Sequence, residues 1–201
     1  MCGLSRQEDI IAANELMPEY IGFVFWEKSR RYVTDETARE LKGQLDKRIK
    51  AVGVFLDDEM EHIVSLAKAG TIDLIQLHGH EGGAYIDRLR TYTDKPIIQA
   101  FLVHDRDDLM RAESSKADYI LLDAGTGSGE TFDWNILSGG SRPYFLAGGL
   151  NPENAAGAVT LLHPYAVDVS SGIETDGHKN PEKMRAFAES VGQVEACLMG
   201  K

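Results

Sequence analysis

Short runs of β-branched, aromatic and aliphatic residues recur along the chain at intervals of roughly 25 residues. They are Tyr20–Trp26 (YIGFVFW), Ala51–Leu56 (AVGVFL), Ile72–Leu77 (IDLIQL), Pro96–Phe101 (PIIQAF), Asp118–Leu122 (DYILL), Tyr144–Leu146 (YFL) and Tyr165–Val169 (YAVDV). Runs that are apolar nearly throughout fit strands covered on both faces, as in parallel sheets. Between them lie stretches with helix-start signals. Ser5 with Glu8 reads as a capping box. Asn151-Pro152-Glu153 and Asn180-Pro181-Glu182 each offer an Asn cap, a Pro at the first helical position and an early acid. Thr34-Asp35-Glu36 and Asp57-Asp58-Glu59 open two more helices with charge that suits the helix dipole. Seven strands and an N-terminal stub, alternating with helices, predict eight βα units. The 201 residues allow about 25 per unit, which fits a compact (β/α)8 TIM barrel over residues 1–201 as a single α/β domain. The rival, a doubly wound open sheet, would normally carry G-x-G-x-x-G after its first strand, and Cys2-Gly3-Leu4-Ser5 does not match it.

Composition narrows the function classes. The formal net charge is -11, so binding to the phosphate backbone of nucleic acids is not expected, although a local anion site remains open. No apolar run approaches the roughly 20 residues needed to span a bilayer, and MCGLSRQEDI has no basic-then-apolar signal region. Two cysteines, Cys2 and Cys197, make no disulfide framework and fit a reducing cytoplasm. Six histidines without H-E-x-x-H or paired Cys/His spacing argue against a metal site.

In a (β/α)8 barrel the chemistry sits at the C-terminal ends of the strands. Counting the stub as the first unit, the seventh strand ends in Ala147-Gly148-Gly149-Leu150 and the eighth in Asp168-Val169-Ser170-Ser171-Gly172. Adjacent glycines let backbone N–H groups approach an anion and the serines add donors, so these two loops read as a phosphate cradle; tight turns are the plainer alternative. Asp123 ends an apolar strand, where a carboxyl can serve as a general acid or simply as a cap or ion-pair partner. Gly125-Thr126-Gly127-Ser128-Gly129 follows it and suggests a covering loop. Cys2 precedes a predicted helix, where a thiol pKa is expected to fall; a buried small hydrophobe is the alternative, and Cys197 fits the core. Lys28-Ser29-Arg30-Arg31 is a basic patch in an acidic chain and could hold a carboxylate with the planar fork of Arg31. His78 ends a strand and reads as structural or as a pocket wall.

These motifs together resemble the phosphoribosylanthranilate isomerase family. The matching pieces are CGLSRQEDI, GFVFWEKSRRYV, VGVF, IQLHG, DYILLDAGTGSGETFDW, LAGGLNPENA and VDVSSGIETDGHKNPEKMRAF, in family order over nearly the whole chain. The resemblance implies an Amadori rearrangement of N-(5'-phosphoribosyl)anthranilate to 1-(2-carboxyphenylamino)-1-deoxyribulose 5-phosphate in tryptophan biosynthesis. It implies Asp123 as general acid, Cys2 as general base and Arg31 on the anthranilate carboxylate. It further implies a phosphate site at the Gly148-Gly149 and Ser170-Ser171-Gly172 loops and no cofactor; His78 and Asp168 are added to the expected substrate site by their strand-end positions, and no metal is expected. The implied partner is the small phosphosugar-anthranilate substrate, with no nucleic acid and no membrane, and the implied state is a monomer or weak homodimer.

Two departures from the family pattern are expected to matter. The covering segment is compressed to Ala124–Gly129, which predicts a shorter lid. Only Met1 precedes Cys2, whereas a typical strand has about 5–6 residues, so a truncated first strand is expected. That leaves open a non-catalytic or impaired phosphosugar-binding barrel, beside a further alternative of ring-closing chemistry on the same fold.

Overall fold

The computed structural model describes residues 1–123, 125, 134–137 and 140–199, with only the backbone of residues 135 and 195–199. Seven parallel strands follow one another around a single sheet: β1 (Tyr20–Val24), β2 (Lys50–Phe55), β3 (Leu74–Leu77), β4 (Ile97–Leu102), β5 (Tyr119–Asp123), β6 (Tyr144–Ala147) and β7 (Ala166–Val167). Each lies on one of the apolar runs, shifted at its ends by up to two residues. The helices α1 (Gln7–Leu16), α2 (Asp35–Gln44), α3 (Met60–Lys68), α4 (Gly83–Leu89), α5 (Arg106–Glu113), α6 (Ala155–Leu162) and α7 (Pro181–Met199) occupy the crossovers, with a single-turn 3₁₀ segment at Trp134–Leu137. A two-stranded hairpin, β8 (Glu174–Thr175) with β9 (His178–Lys179), follows β7.

The eighth position of the ring is held by Met1–Gly3. Cys2 bridges Gly22 of β1 in parallel register, and its N–H donates 2.8 Å to the carbonyl of Val169 beyond β7. The N–H of Gly22 donates to Met1, that of Gly3 to Gly22, and the Met1 amine to Tyr20. The first strand is therefore short, yet it joins the two flanking edges at the end where the chemistry lies. The fold is the expected (β/α)8 barrel.

Side chains alternate across the sheet, as the period of two requires. Val52, Leu74, Ile98, Ala100, Leu121, Phe145 and Ala147 fill the barrel interior. Ile21, Phe23, Ala51, Phe55, Ile75, Leu77 and Ile97 pack outward under the helices of the first half. Ile120, Leu122, Tyr144 and Leu146 do the same in the second half. Both faces are buried, which is why the strands read as continuous apolar runs.

Helix starts confirm some signals and correct others. The Thr34 hydroxyl accepts from the N–H of Thr37, and Asn180 Oδ1 accepts from the N–H groups of Glu182 and Lys183, so α2 and α7 begin where their caps predict. The capping box at α1 is displaced by one residue. Arg6 stands at the cap, and the carboxylate of Asp9 rather than Glu8 accepts from the N–H groups of Ser5 and Arg6. Asn151 does not cap α6. Its side chain accepts from the N–H groups of Glu153 and Asn154, holding a separate turn, and the helix starts at Ala155. No helix among the described residues is long and apolar enough to cross a membrane. The side chain of Cys197 and the predicted covering loop, apart from Gly125, lie outside the described residues.

Candidate active site at the C-terminal strand ends

A cleft of about 540 Å³ opens at the C-terminal ends of the strands. It is lined by Cys2, Arg31, His78, Asp123, Gly148, Gly149, Asp168, Ser170 and Ser171. Nine of the ten residues of the expected catalytic and substrate site thus meet in one place. The tenth, Gly172, stands behind the wall. A Cβ there would lie 1.9 Å from the carbonyl oxygen of Leu150, so this glycine lets the loops after β6 and β7 interlock.

Register places the acid. Asp123 is the last residue of β5 and pairs with Ala147 of β6, whose small side chain leaves space beside the carboxyl. One oxygen, Oδ1, accepts 2.9 Å from the N–H of Gly125, which fixes the group at the rim. The other, Oδ2, lies 3.8 Å from His78 Nε2, and the Asp123 side chain as a whole is about a quarter exposed.

The thiol of Cys2 lies over β1. A Cβ on Gly22 would sit 2.7 Å from Sγ, so only glycine allows this approach. Burial pushes the thiol pKa up to about 12, and the charge of Asp168 adds to the rise. The N-terminal amine, Lys179 and Arg31 oppose it. This corrects the expected lowering. The first turn of α1 begins at Gln7, five residues beyond the thiol, and loss of solvation dominates. Asp168 lies in the same buried environment, and its pKa is likewise raised, chiefly by burial.

The two loops after β6 and β7 have the backbone that an anion cradle requires. Gly148 and Gly149 take φ of 95° and 64°, which turns consecutive peptide groups in a way side chains disfavour. Ser170 is tied to the first strand, its Oγ donating 3.1 Å to the carbonyl of Cys2. Arg31 reaches across the cleft edge. Its Nε donates 2.6 Å and one Nη 3.0 Å to the two carboxylate oxygens of Glu174. Among the described residues no group of three or more His, Cys, Asp or Glu could hold a metal ion.

An acid, a thiol, an arginine and a glycine-serine cradle therefore share one cleft of a (β/α)8 barrel. A family model described as N-(5'phosphoribosyl)anthranilate (PRA) isomerase matches residues 1–190. The chain belongs to the phosphoribosylanthranilate isomerase family. It is 42% identical over 198 residues to N-(5'-phosphoribosyl)anthranilate isomerase of Thermoanaerobacter sp. (strain X514), covering 95% of this chain and 96% of that one. The crystal structure of phosphoribosyl anthranilate isomerase from Thermotoga maritima superposes with a TM-score of 0.88 at 34% identity, over 96% of this chain and 97% of that chain. A family structure in complex with reduced 1-(o-carboxyphenylamino)-1-deoxyribulose 5-phosphate superposes with a TM-score of 0.86 at 34% identity, over 96% of both chains.

The cleft of this isomerase-family chain also holds residues that were not expected in the site. Trp26, about 40% exposed, and Ser29 line it from the loop after β1. The signal for Trp26 was present: an aromatic residue just past the apolar part of its strand. Glu174 and Lys179 are buried; both lie within the matching piece VDVSSGIETDGHKNPEKMRAF, but no periodicity sets them apart from their neighbours.

Proposed function

We propose that this chain converts N-(5'-phosphoribosyl)anthranilate to 1-(2-carboxyphenylamino)-1-deoxyribulose 5-phosphate, the isomerisation of tryptophan biosynthesis. The observation that carries the reading is the convergence of Asp123 and Cys2 on one cleft walled by the Gly148-Gly149 and Ser170-Ser171 loops. Asp123 donates a proton to the furanose ring oxygen. The C1'–O bond breaks and the substrate nitrogen supplies the electrons, which leaves an open-chain iminium. That cation acidifies the C2' hydrogen, so no further cofactor is called for. Cys2, as thiolate, removes the C2' proton to form the enolamine. A proton is then gained at C1' as the C2' hydroxyl becomes the ketone.

The environment of Cys2 suits this order of events. A thiol with a pKa near 12 is protonated in the free enzyme at neutral pH, and a newly formed iminium beside it favours the thiolate electrostatically. The Gly148-Gly149 and Ser170-Ser171 loops take the phosphate, with Asp168 and His78 bordering the sugar. Trp26 offers an aromatic face to the anthranilate ring, and Arg31 takes its carboxylate. The enzyme acts in the cytoplasm as a monomer or weak homodimer; one solved family structure is of monomers made from the dimeric enzyme of Thermotoga maritima.

Decay of substrate fluorescence on adding purified protein tests the reading. Turnover that is nearly lost in Asp123→Asn is the expected result. A folded wild-type sample that binds the reduced product but leaves the substrate unconsumed would make this a binding barrel instead.

A further inference from the structure

Beneath the cleft edge lies a cluster of charge that the rearrangement itself does not use. Glu174 is 8% exposed and Lys179 is 4% exposed. Around the single carboxylate of Glu174 stand three cations. Arg30 donates 2.7 Å to Oε2, Arg31 donates to both oxygens, and Lys179 donates 2.7 Å to Oε1. The cluster spans three elements: the loop after β1, the start of the β8–β9 hairpin, and its end. Lys179 continues inward, donating 2.9 Å to the carbonyl of Ser170. Ser170 in turn donates to the carbonyl of Cys2.

Arg31 is held at two points along its length. Its stem lies against the backbone of Gly3, where a Cβ would come within 2.4 Å of Cδ. Its head is gripped edge-on by Glu174 through Nε and one Nη. This fork leaves the remaining N–H groups of the guanidinium pointing away from Glu174, and Arg31 lines the cleft. An arginine on a flexible stem loses rotamer freedom when it binds a carboxylate, and a guanidinium already clamped has lost that freedom in advance. The clamp is strong because its carboxylate is shielded from water and answers more than one cation. Burial would raise the Glu174 pKa, but the hydrogen bonds from Arg31 and Lys179 outweigh it and hold it down at about 2.

We propose that Glu174 is a positioning residue for recognition of the substrate's aromatic carboxylate: it fixes the guanidinium of Arg31 in the orientation that meets that group, with Lys179 holding the carboxylate in place from behind. The proposal rests on the reading of Arg31 as the carboxylate contact. Glu174 touches no substrate atom and acts only through Arg31. Its removal therefore weakens binding of ligands that carry the carboxylate and spares ligands that do not. A merely structural ion cluster would instead weaken both kinds of ligand alike.

The test measures dissociation constants by calorimetry for two probes. One is the reduced product, 1-(o-carboxyphenylamino)-1-deoxyribulose 5-phosphate in its reduced form; the other is its anilino counterpart without the carboxyl. Arg31→Met and Glu174→Gln are each expected to weaken the first probe about ten-fold or more and to leave the second within about two-fold. Glu174→Asp, whose carboxylate is one methylene short, is expected to show the same selective loss at smaller size. It decides the matter if the Gln variant does not fold: a wild-type profile in Glu174→Asp then overturns the proposal. If Arg31→Met binds both probes as wild type does, the reading of Arg31 fails and the proposal falls with it. If Arg31→Met discriminates between the probes but Glu174→Gln does not, the proposal alone is wrong.

Discussion

The two ends of the barrel interior make an instructive pair. At the C-terminal end, the cleft of about 540 Å³ is walled by Arg31, His78, Asp123, Asp168 and two serines. At the N-terminal end, a cavity of about 430 Å³ runs below the short first strand, between the starts of β1 and β7. Its walls are Leu16, Met17, Tyr20, Phe145, Val167 and Phe187 among others. Strands β1, β2, β3 and β6 contribute to both, and the two spaces are of comparable size. Cys2, Val54, Gln76 and Asp168 border both spaces and form the partition. The lower end is closed by rings: Phe145 packs edge-on against Tyr20 and Tyr119 at 5.5 and 5.7 Å, and Tyr119 stacks on Tyr165 at 5.4 Å. What distinguishes the upper cleft from the cavity below it is therefore which side chains the strand ends present, and not the amount of space.

Substitutions can break or sharpen that contrast. Cys2→Ala should lower kcat by about a hundred-fold to ten-thousand-fold, the usual range for a general base, while thermal unfolding stays close to wild type. Steady-state kinetics beside calorimetry checks both halves. Next in size is the reactivity of the thiol itself. With its pKa near 12, Cys2 in a Cys197→Ser background should alkylate about a thousand-fold more slowly at pH 7 than an unburied thiol. The rate should then climb about ten-fold per pH unit. A plateau reached by pH 9 would mean that the thiol is not desolvated as described.

Phe145→Ala at the lower end should cost about 3 kcal/mol of stability by denaturant titration, because it removes a large ring from the barrel interior. It should leave kcat/KM of the folded protein within about three-fold, since Phe145 does not line the upper cleft. The smallest effect is the acid limb of stability. Glu174 has a folded pKa depressed to about 2, below its ordinary value of 4.5. Its contribution is therefore fully present above pH 4.5 and is lost as pH falls toward 2. In Glu174→Gln the fall of stability over that window should be shallower than in wild type, as read by urea midpoints at each pH.

Most of the fold was legible because burial on both faces writes itself into sequence as unbroken apolar runs. Helix starts were less so. Asn151-Pro152 and Asn180-Pro181 look alike on paper, yet only the second caps its helix, because Asn151 spends its side chain on the turn that carries the Gly148-Gly149 loop. Strand-end positions pointed to the residues of the cleft, since a barrel gathers them by topology alone. The thiol pKa ran the other way from expectation: nearness to a helix along the chain says nothing about solvent, and solvent decided it. Glu174 and Lys179 stayed hidden for a related reason. Arg31 and Glu174 stand 143 residues apart, and although each lies in a matching piece, nothing local tells that the two pair.

The central claim, that catalysis belongs to the upper end and structure to the lower, is tested most directly by one side-by-side assay. Decay of phosphoribosylanthranilate fluorescence is followed with equal amounts of folded wild type, Asp123→Asn and Phe145→Ala, below the unfolding temperature of all three. Wild type and Phe145→Ala should consume the substrate at similar rates, and Asp123→Asn should be nearly inert. Consumption by Asp123→Asn at the wild-type rate, or its loss in folded Phe145→Ala, would contradict the account.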